Sequence, residues 1–236
     1  MMPDNPAGAV DFAALRALDT PTICNALEVI LPARRAIGFT TRPLVCARPH
    51  LPPIVGYART ATIRATHPAE GDAKALRQRR LDYYRHVSEG PGPRIVLLED
   101  LDAEPGYGAF WGEVNSNIHK GLGCEGAITN GSIRDIPACA EGFQLLAGRV
   151  GPSHAYVHIV EIGVTVTIHG MTARPGDLIH GDQHGAVVIP LEAAGRIPAV
   201  AAQIARRESH IIAASRQPDF SYEKLARTLA EADEIH

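Results

Sequence analysis

The stretch 121–135 constrains the fold of this chain more than any other, because it joins closely spaced glycines to a short apolar run. The glycines predict a tight turn, and Ala127–Thr129 predicts a short buried strand. The Asn130-Gly131 pair predicts a second turn, which leads to the charged pair Arg134-Asp135. Pro137 follows, and proline is tolerated in the first turn of a helix. α/β proteins place ligand sites where a strand end meets a helix start in this way.

The Arg134-Asp135 pair has two interpretations. A guanidinium can bind a carboxylate or oxo group, and a carboxylate can hold a hard metal ion. Alternatively, Asp135 caps a short helix predicted over 136–141, because aspartate is a preferred N-cap residue, and Arg134 lies on the surface. The residue pattern leaves both interpretations open.

A second candidate site is the stretch Gly112-Glu113-Val114-Asn115, at the start of a helix predicted over 111–120. The free N–H groups at a helix N-terminus bind carboxylates and phosphates. Every helix has such an end, so this signal is weak by itself.

The remaining pattern predicts strands flanked by helices, then clustered short strands, then a helical tail, which is typical of a single layered α/β or α+β domain. We expect residues 1–10 to be a disordered lead and residues 191–236 to form a C-terminal helical extension. The arginines of the helix predicted over 69–88 are interpreted as a solvated face. Other predicted elements are two helices within 12–31, the second capped by Thr20, strands at 54–64 and 95–98, short strands at 157–160, 164–168, 178–180 and 186–189, and helices over 191–214 and 222–232.

Composition excludes several classes of protein. A net charge of −3 provides no basic surface for nucleic acid, and no apolar run approaches the ~20 residues that span a membrane. The N-terminus lacks the pattern of a secretory signal, and the four widely spaced cysteines predict free thiols in the cytoplasm. A methyltransferase is disfavoured because no glycine-rich nucleoside loop precedes an acidic strand end.

The histidines and the late turns are weaker candidates. Five histidines crowd the strand-rich half, but their spacing matches no closed tetrahedral zinc set, so we expect no histidine-bound metal. The stretches 174–177 and 181–185 are interpreted as turns. Those five histidines are His154, His158, His169, His180 and His184.

The segment Gly-Cys-Glu-Gly-Ala-Ile-Thr-Asn-Gly-Ser-Ile-Arg-Asp, at 123–135, resembles the signature of the RraA-like family. That family includes 4-hydroxy-4-methyl-2-oxoglutarate and 4-carboxy-4-hydroxy-2-oxoadipate aldolases, which also decarboxylate oxaloacetate, and regulators of ribonuclease activity. The resemblance spans roughly 20–190 and extends to the Pro-Gly-Asp and Asp-x-x-Gly turns at 175–185. It implies a β/β/α swivelling fold like that of phosphohistidine domains, assembled as a trimer or a dimer of trimers.

The resemblance also implies residue roles. Arg134 would bind substrate, Asp135 would hold Mg²⁺ or Mn²⁺, and backbone N–H groups of the 112–115 stretch would bind the substrate carboxylate. The implied enzyme is a metal-dependent aldolase that cleaves a 4-hydroxy-2-oxo acid to pyruvate, with oxaloacetate decarboxylase activity. The catalytic base is left open between Glu113, Glu99 and a water on the metal. The alternative is a non-catalytic ribonuclease regulator on the same fold.

Two positions depart from the family pattern. Asn115 stands where an apolar residue is usual, which predicts a more polar pocket and a different substrate. Asn25 stands where the family commonly has aspartate, which puts any role of that position in an intersubunit site in doubt.

Overall fold

The computed structural model describes residues 10–235, so most of the predicted disordered lead lies outside the described residues. The helices are α1 (Phe12–Arg16), α2 (Thr20–Ile30), α3 (Ala73–Ser88), α4 (Glu113–Gly121), α5 (Leu191–Ala194), α6 (Ile197–Ser215) and α7 (Tyr222–Asp233). The strands are β1 (Val45–Cys46), β2 (Ile54–Arg64), β3 (Arg94–Asp100), β4 (Ala109–Trp111), β5 (Cys124–Ile133), β6 (Gln144–Val150), β7 (His158–Ile162), β8 (Val166–Ile168), β9 (Met171–Ala173), β10 (Leu178–Asp182) and β11 (Gly185–Ile189).

A mixed sheet dominates the described chain, with the strand order β1-β6-β5-β3-β2-β10-β11. The inner strands β2, β3, β5 and β6 run parallel, and β4 joins β5 in the same direction. The outer strands β1, β10 and β11 pair antiparallel, as does β7, which follows the second half of β2. Helices α1 and α2 precede the first strand and helices α5 to α7 follow the last one, so the predicted α/β class is confirmed.

Several predicted elements differ in detail. Asp19, not Thr20, caps α2, because its side chain accepts from the Thr22 N–H at 2.8 Å. Trp111 belongs to a strand, and the helix begins two residues later at Glu113. Asn130-Gly131 is not a turn, because β5 continues through it with a shift in register against β6.

The irregularity in β5 has a side-chain partner that accounts for it. The Asn130 amide donates to the Asp100 carbonyl at 2.9 Å and accepts from the Asp100 N–H at 2.7 Å. These two bonds link β5 to the end of β3, beyond the last backbone pair of Leu98 with Thr129. Because the side chain satisfies the neighbouring backbone, a sequence typical of a turn can remain inside a strand.

A buried histidine ties the N-terminal helices to the sheet. His180 on β10 is 0% exposed, and its Nε2 donates to the Leu18 carbonyl at 3.0 Å. Its Nδ1 therefore accepts from the Thr20 hydroxyl at 3.0 Å, while the Thr20 N–H donates to Asp182 at 2.9 Å. Both ring nitrogens of His180 are therefore engaged in hydrogen bonds within the protein.

A second buried histidine joins α3 to α4. The Nδ1 of His119 donates to the Asn115 carbonyl at 2.6 Å, and its Nε2 accepts from the Tyr83 hydroxyl at 2.7 Å. The ring packs on Trp111, with centroids 4.5 Å apart. Burial lowers the pKa of His119 from 6.5 to about 4, so the ring is neutral in the folded protein.

We therefore expect stability to fall as the pH drops from about 6.5 towards about 4. Between these pH values, His119 is protonated in the unfolded chain but neutral in the folded protein, which favours unfolding. Above pH 6.5 it is neutral in both states, so the stability is lost only on acidification. The loss is at most roughly 3 kcal/mol, from 1.36 kcal/mol for each unit of pKa shift.

Urea unfolding at pH 7.5 and pH 5 measures this loss of stability. His119→Phe should show a smaller difference between the two pH values, whereas His50→Phe, at an exposed position, should match the unsubstituted protein. An unchanged pH dependence in His119→Phe would contradict the assignment.

Candidate active site

The two candidate stretches meet because their strands are neighbours. β4 and β5 pair in parallel, with Ala109 opposite Ser132 and Trp111 opposite Ile133. The pairing continues one step further, since the Arg134 N–H donates to the Trp111 carbonyl at 2.9 Å. Parallel strands end at the same edge of a sheet, so Gly112 and Arg134 leave it side by side. The structure therefore brings together residues that lie far apart in the chain.

Gly112 allows a close approach between the two stretches. A Cβ on this residue would lie 2.8 Å from Asp135 Oδ2 and 3.2 Å from Arg134 Cγ. The backbone of Gly112 is extended, with φ −171°, so the need for glycine is one of space rather than of conformation. The Asp135 carboxylate thus sits directly over the N-cap of α4.

Asp135 does not cap the helical turn that follows it. Residues Ile136–Ala138 form a single 3₁₀ turn, and within the described chain no bond runs from the Asp135 side chain to its N–H groups. Asp135 adopts the left-handed conformation at φ 53° and ψ 32°, which asparagine and aspartate tolerate better than other non-glycine residues. Its nearest charged neighbour is Arg134, with Nε 3.6 Å from Oδ2, and its side chain is 41% exposed. The capping interpretation is therefore wrong, and the carboxylate is available to a ligand.

The N-terminus of α4 is also available. Among the described residues, no side chain accepts a hydrogen bond from its first turn, and Gly112 at the N-cap offers none. The first N–H groups of a helix have no partner within the helix, so they attract anions together with the positive end of the helix dipole. Val114 is exposed in this turn and leaves the backbone open to solvent.

Hydrogen bonds to neighbouring residues hold the side chain of Asn115. Its Nδ2 donates to the Phe110 carbonyl at 2.6 Å, and its Oδ1 accepts from the Tyr84 hydroxyl at 2.8 Å. Both polar atoms are therefore engaged, and the residue fastens α3 to the first turn of α4. Asn115 nevertheless lines the cleft, and its effect on the polarity of the pocket and on the substrate stays a prediction.

A cleft of about 720 Å³ opens beside Arg134, between α3, α4 and the segment 154–159. Ligand pockets typically have volumes of roughly 300–1,000 Å³. Its walls combine apolar side chains with arginines and histidines. The lining residues used below are Leu76, Arg79, Arg80, Tyr84, Phe110, Val114, Asn115, Ile118, Arg134, His154, Tyr156, Val157, His158 and Ile159.

The other candidate residues lie in different parts of the structure. Glu99 is engaged elsewhere, because its carboxylate accepts from the Thr167 N–H at 2.8 Å, and we do not retain it as a base candidate. Glu113 is exposed next to Gly112 and stays a candidate base. Asn25 is exposed on α2, in a depression against α6, away from the cleft. All four cysteines, which lie within the described part of the chain, carry free thiols, and burial raises the pKa of Cys124 to about 11.

Sequence reasoning missed the contribution of α3 and of the 154–159 segment to this cleft. Arg79 and Arg80 are exposed, as the interpretation of a solvated face expects, and both also line the cleft with Leu76 and Tyr84. The signal in the sequence was the spacing of Leu76, Arg80 and Tyr84, which places them on one face of a helix. That spacing does not reveal which neighbour the face meets.

The donor set at Asp135 fits a hard cation with few protein ligands. Within residues 10–235, no group of three or more histidine, cysteine, aspartate or glutamate side chains is placed to hold a metal. Mg²⁺ is commonly bound by one or two carboxylates and completes its octahedron with water and substrate oxygens. The exposed Asp135 carboxylate, free of a capping bond, suits that mode of binding.

We expect Gly112→Ala to reduce activity more than stability. The new Cβ meets the flexible end of Asp135, which can move away at low cost, but the Arg134-Asp135 pair is then displaced. A displacement of about 1 Å at a reacting centre can cost up to roughly a hundredfold in rate. Thermal unfolding and turnover of a 4-hydroxy-2-oxo acid measure the two effects. Gly121→Ala, at a position where a Cβ meets nothing within 4 Å, is the matched control. Equal activity in the two variants would contradict the close-approach argument.

Fold and site together define an α/β protein in which Arg134, Asp135 and the uncapped N-terminus of α4 lie together at parallel strand ends. The RraA-like family (Aldolase/RraA) matches residues 11–188, and the chain therefore belongs to this family. Among the helices of the described residues, none combines the length and apolar character needed to cross a bilayer.

Several curated relatives carry aldolase names. A protein of Halalkalibacterium halodurans, named "Putative 4-hydroxy-4-methyl-2-oxoglutarate aldolase", is 32% identical over 139 residues, which are 58% of this chain and 60% of that protein. A protein of the same name from Pseudomonas fluorescens SBW25 is 37% identical over 107 residues, covering 44% of this chain and 57% of that protein. The matches thus span less than two thirds of these relatives.

Solved structures show the same fold. An uncharacterized protein from Pseudomonas syringae pv. tomato matches 100% of this chain and 99% of its own length, with a TM-score of 0.68 and 20% identity. Streptomyces coelicolor RraAS2, described as an unusual member of the RNase ES inhibitor RraA family, matches 88% of this chain and 97% of its own length, with a TM-score of 0.63 and 21% identity.

Proposed function

We propose that this protein is a divalent-metal-dependent lyase that cleaves a 4-hydroxy-2-oxo acid to pyruvate and also decarboxylates oxaloacetate. The observation that carries the proposal is the convergence of Arg134, Asp135 and the uncapped N-terminus of α4 at one end of a cleft. The aldolase names of the curated relatives support it.

The reaction places negative charge where these groups lie. Cleavage of the bond between C3 and C4 leaves the electron pair on C3, which forms the enolate of pyruvate, while C4 becomes the carbonyl carbon of the second product. Arg134 donates hydrogen bonds to the oxygen on which that charge develops, and donors fixed in advance stabilise the transition state. The N–H groups at the start of α4 hold the C1 carboxylate.

Asp135 would hold Mg²⁺ or Mn²⁺, and that ion would supply Lewis acidity to the reaction. The chain contributes the carboxylate that holds it and the guanidinium beside it. Glu113, exposed one residue after Gly112, is our candidate for removing the proton of the C4 hydroxyl. The proton that finally quenches the enolate comes from the protonated base or from solvent.

Pyruvate release from 4-hydroxy-4-methyl-2-oxoglutarate and from oxaloacetate, with Mg²⁺, Mn²⁺ or EDTA, tests the proposal. We expect turnover with either ion and loss of turnover in EDTA. Absence of pyruvate release under all conditions would overturn it. We also propose that the protein assembles as a trimer or hexamer, which light scattering at micromolar concentration measures.

A second candidate function is a non-catalytic regulator of the RraA type. The observation that favours it is the likeness in fold to the Streptomyces coelicolor protein of the RNase ES inhibitor family. An inactive protein in the pyruvate assay that inhibits a ribonuclease E-type enzyme would support this candidate over the lyase.

A further inference from the structure

One face of α3 forms a wall of the cleft. Leu76, Arg80 and Tyr84 follow each other at intervals of four residues, with Arg79 beside Arg80, and all four line the cleft. The Tyr84 hydroxyl donates to Asn115 in the first turn of α4, which marks the end of the wall near the proposed reacting groups. Arg80 lies one helical turn from Tyr84, a rise of about 6 Å along the axis.

The two arginines on this wall have no carboxylate partner. Asp82, the one acidic residue within α3, accepts from Gln78 at 2.9 Å and lies 3.8 Å from Arg85. Arg79 reaches only the Val160 carbonyl at 3.5 Å, and within residues 10–235 the Arg80 guanidinium has no hydrogen-bond or ion-pair partner. Other guanidinium groups of this protein do have carboxylates, such as Arg16 with Glu125 and Arg35 with Glu28.

The opposite wall adds hydrogen-bond capacity without negative charge. The Nδ1 atoms of His154 and His158 donate to the carbonyls of Ala155 and Tyr156, at 2.7 and 2.8 Å. Each Nε2 is therefore left for another partner. Of the described residues that line the cleft, none is an aspartate or glutamate. The cleft thus holds three guanidinium groups, and the Asp135 carboxylate lies next to one of them, that of Arg134.

Apolar side chains occupy the space between the two ends. Phe110, Val114 and Ile118 come from β4 and α4, and Val157 and Ile159 come from the facing segment. A carbon skeleton can cross such a surface at low cost, whereas a charged group would be desolvated there. The lining therefore suits a ligand with an anionic group at each end.

We propose that Arg79 and Arg80 form a second anion subsite, which selects 2-oxo acids that carry a second carboxylate at the end of the carbon chain away from the 2-oxo group. The proposal rests on the proposed function for the orientation of the ligand, with the 2-oxo carboxylate at α4. Two guanidinium groups that line the same cleft suit a carboxylate because the planar donors of arginine match its two oxygens. A monocarboxylate leaves these charges without a counter-ion.

A binding measurement tests the subsite without requiring turnover. Calorimetric titration, with Mg²⁺ present, compares 2-oxoglutarate with 2-oxopentanoate, which has a methyl group in place of the distal carboxylate. We expect the unsubstituted protein to prefer 2-oxoglutarate by about tenfold, and the double variant Arg79→Gln/Arg80→Gln to lose most of that preference. Arg77→Gln, on the same helix but outside the cleft, is the matched control and should keep it.

Turnover gives a second, separate readout. In the double variant we expect a rise in KM of about tenfold for 4-hydroxy-4-methyl-2-oxoglutarate and little change for the monocarboxylate 4-hydroxy-2-oxopentanoate. A protein that prefers 2-oxoglutarate through Arg79 and Arg80 but releases no pyruvate would refute the lyase and leave the subsite standing. Equal binding of the two 2-oxo acids, or a preference unchanged in the double variant, would overturn the subsite.

Discussion

Asp135→Asn should abolish metal-dependent cleavage and leave thermal stability unchanged. Asparagine tolerates the left-handed backbone of this position, and the native carboxylate makes no capping bond that would be lost. The contact with Arg134 at 3.6 Å is exposed, and such pairs contribute little to stability. A neutral amide binds a divalent cation far less well, so we expect turnover to fall by at least about a thousandfold.

Two further variants make this result specific. Asp219→Asn removes a carboxylate from an exposed loop before α7 and should change neither turnover nor its Mg²⁺ dependence. Asp135→Ala should lose activity and also about 1 kcal/mol or more of stability, because alanine disfavours the left-handed conformation. Full activity with the same Mg²⁺ dependence in Asp135→Asn would remove the carboxylate from the mechanism.

Arg134→Lys should lose roughly a hundredfold or more in turnover, although it keeps the positive charge. Arginine offers a planar set of donors that can contact carboxylate and enolate oxygens together, whereas lysine is a compact point charge. The backbone of residue 134 is fixed by its bond to the Trp111 carbonyl at 2.9 Å, so a shorter reach cannot be recovered by moving the chain.

Arg149→Lys is the matched control for this variant. Arg149 is exposed on β6, opposite Ser132 of the same strand that leads to Arg134, and it does not line the cleft. The Arg149→Lys variant should retain normal kinetics with oxaloacetate. Near-normal turnover by Arg134→Lys would show that a simple positive charge is sufficient and that the planar donor set plays no part.

Several elements could be predicted because local pattern determines them. β2 runs from Ile54 to Arg64 as the alternation of its residues predicts, and the apolar run at 95–98 lies within β3. The tail predicted over 191–214 is helical, but Gly195 and Arg196 separate it into α5 and α6. Hydrophobic period and proline or glycine positions act within a few residues, so the sequence contains this information locally.

The errors arose where distant residues decide the structure. β4 is only three residues long and is a strand because it pairs with β5, so local propensity predicted a helix from Trp111. Asn130-Gly131 has the composition of a turn, but its bonds to Asp100 keep it within β5. In both cases, tertiary hydrogen bonds exceed a weak local preference.

The sequence by itself determined the α/β class and the stretches that carry the charged and glycine residues, since these depend on residue type and short-range spacing. Only the tertiary structure decided that Gly112 lies beneath the Asp135 carboxylate, that Asp135 is free of a cap, and that Arg79 and Arg80 face a cleft. The parallel pairing of β4 with β5 places Gly112 beneath Asp135, and the left-handed backbone at Asp135 keeps its carboxylate free of a cap. The hydrogen bonds of Tyr83 and Tyr84 dock α3 so that Arg79 and Arg80 face the cleft. Two of these three depend on contacts between segments that are remote in the chain, which no local spacing rule can specify.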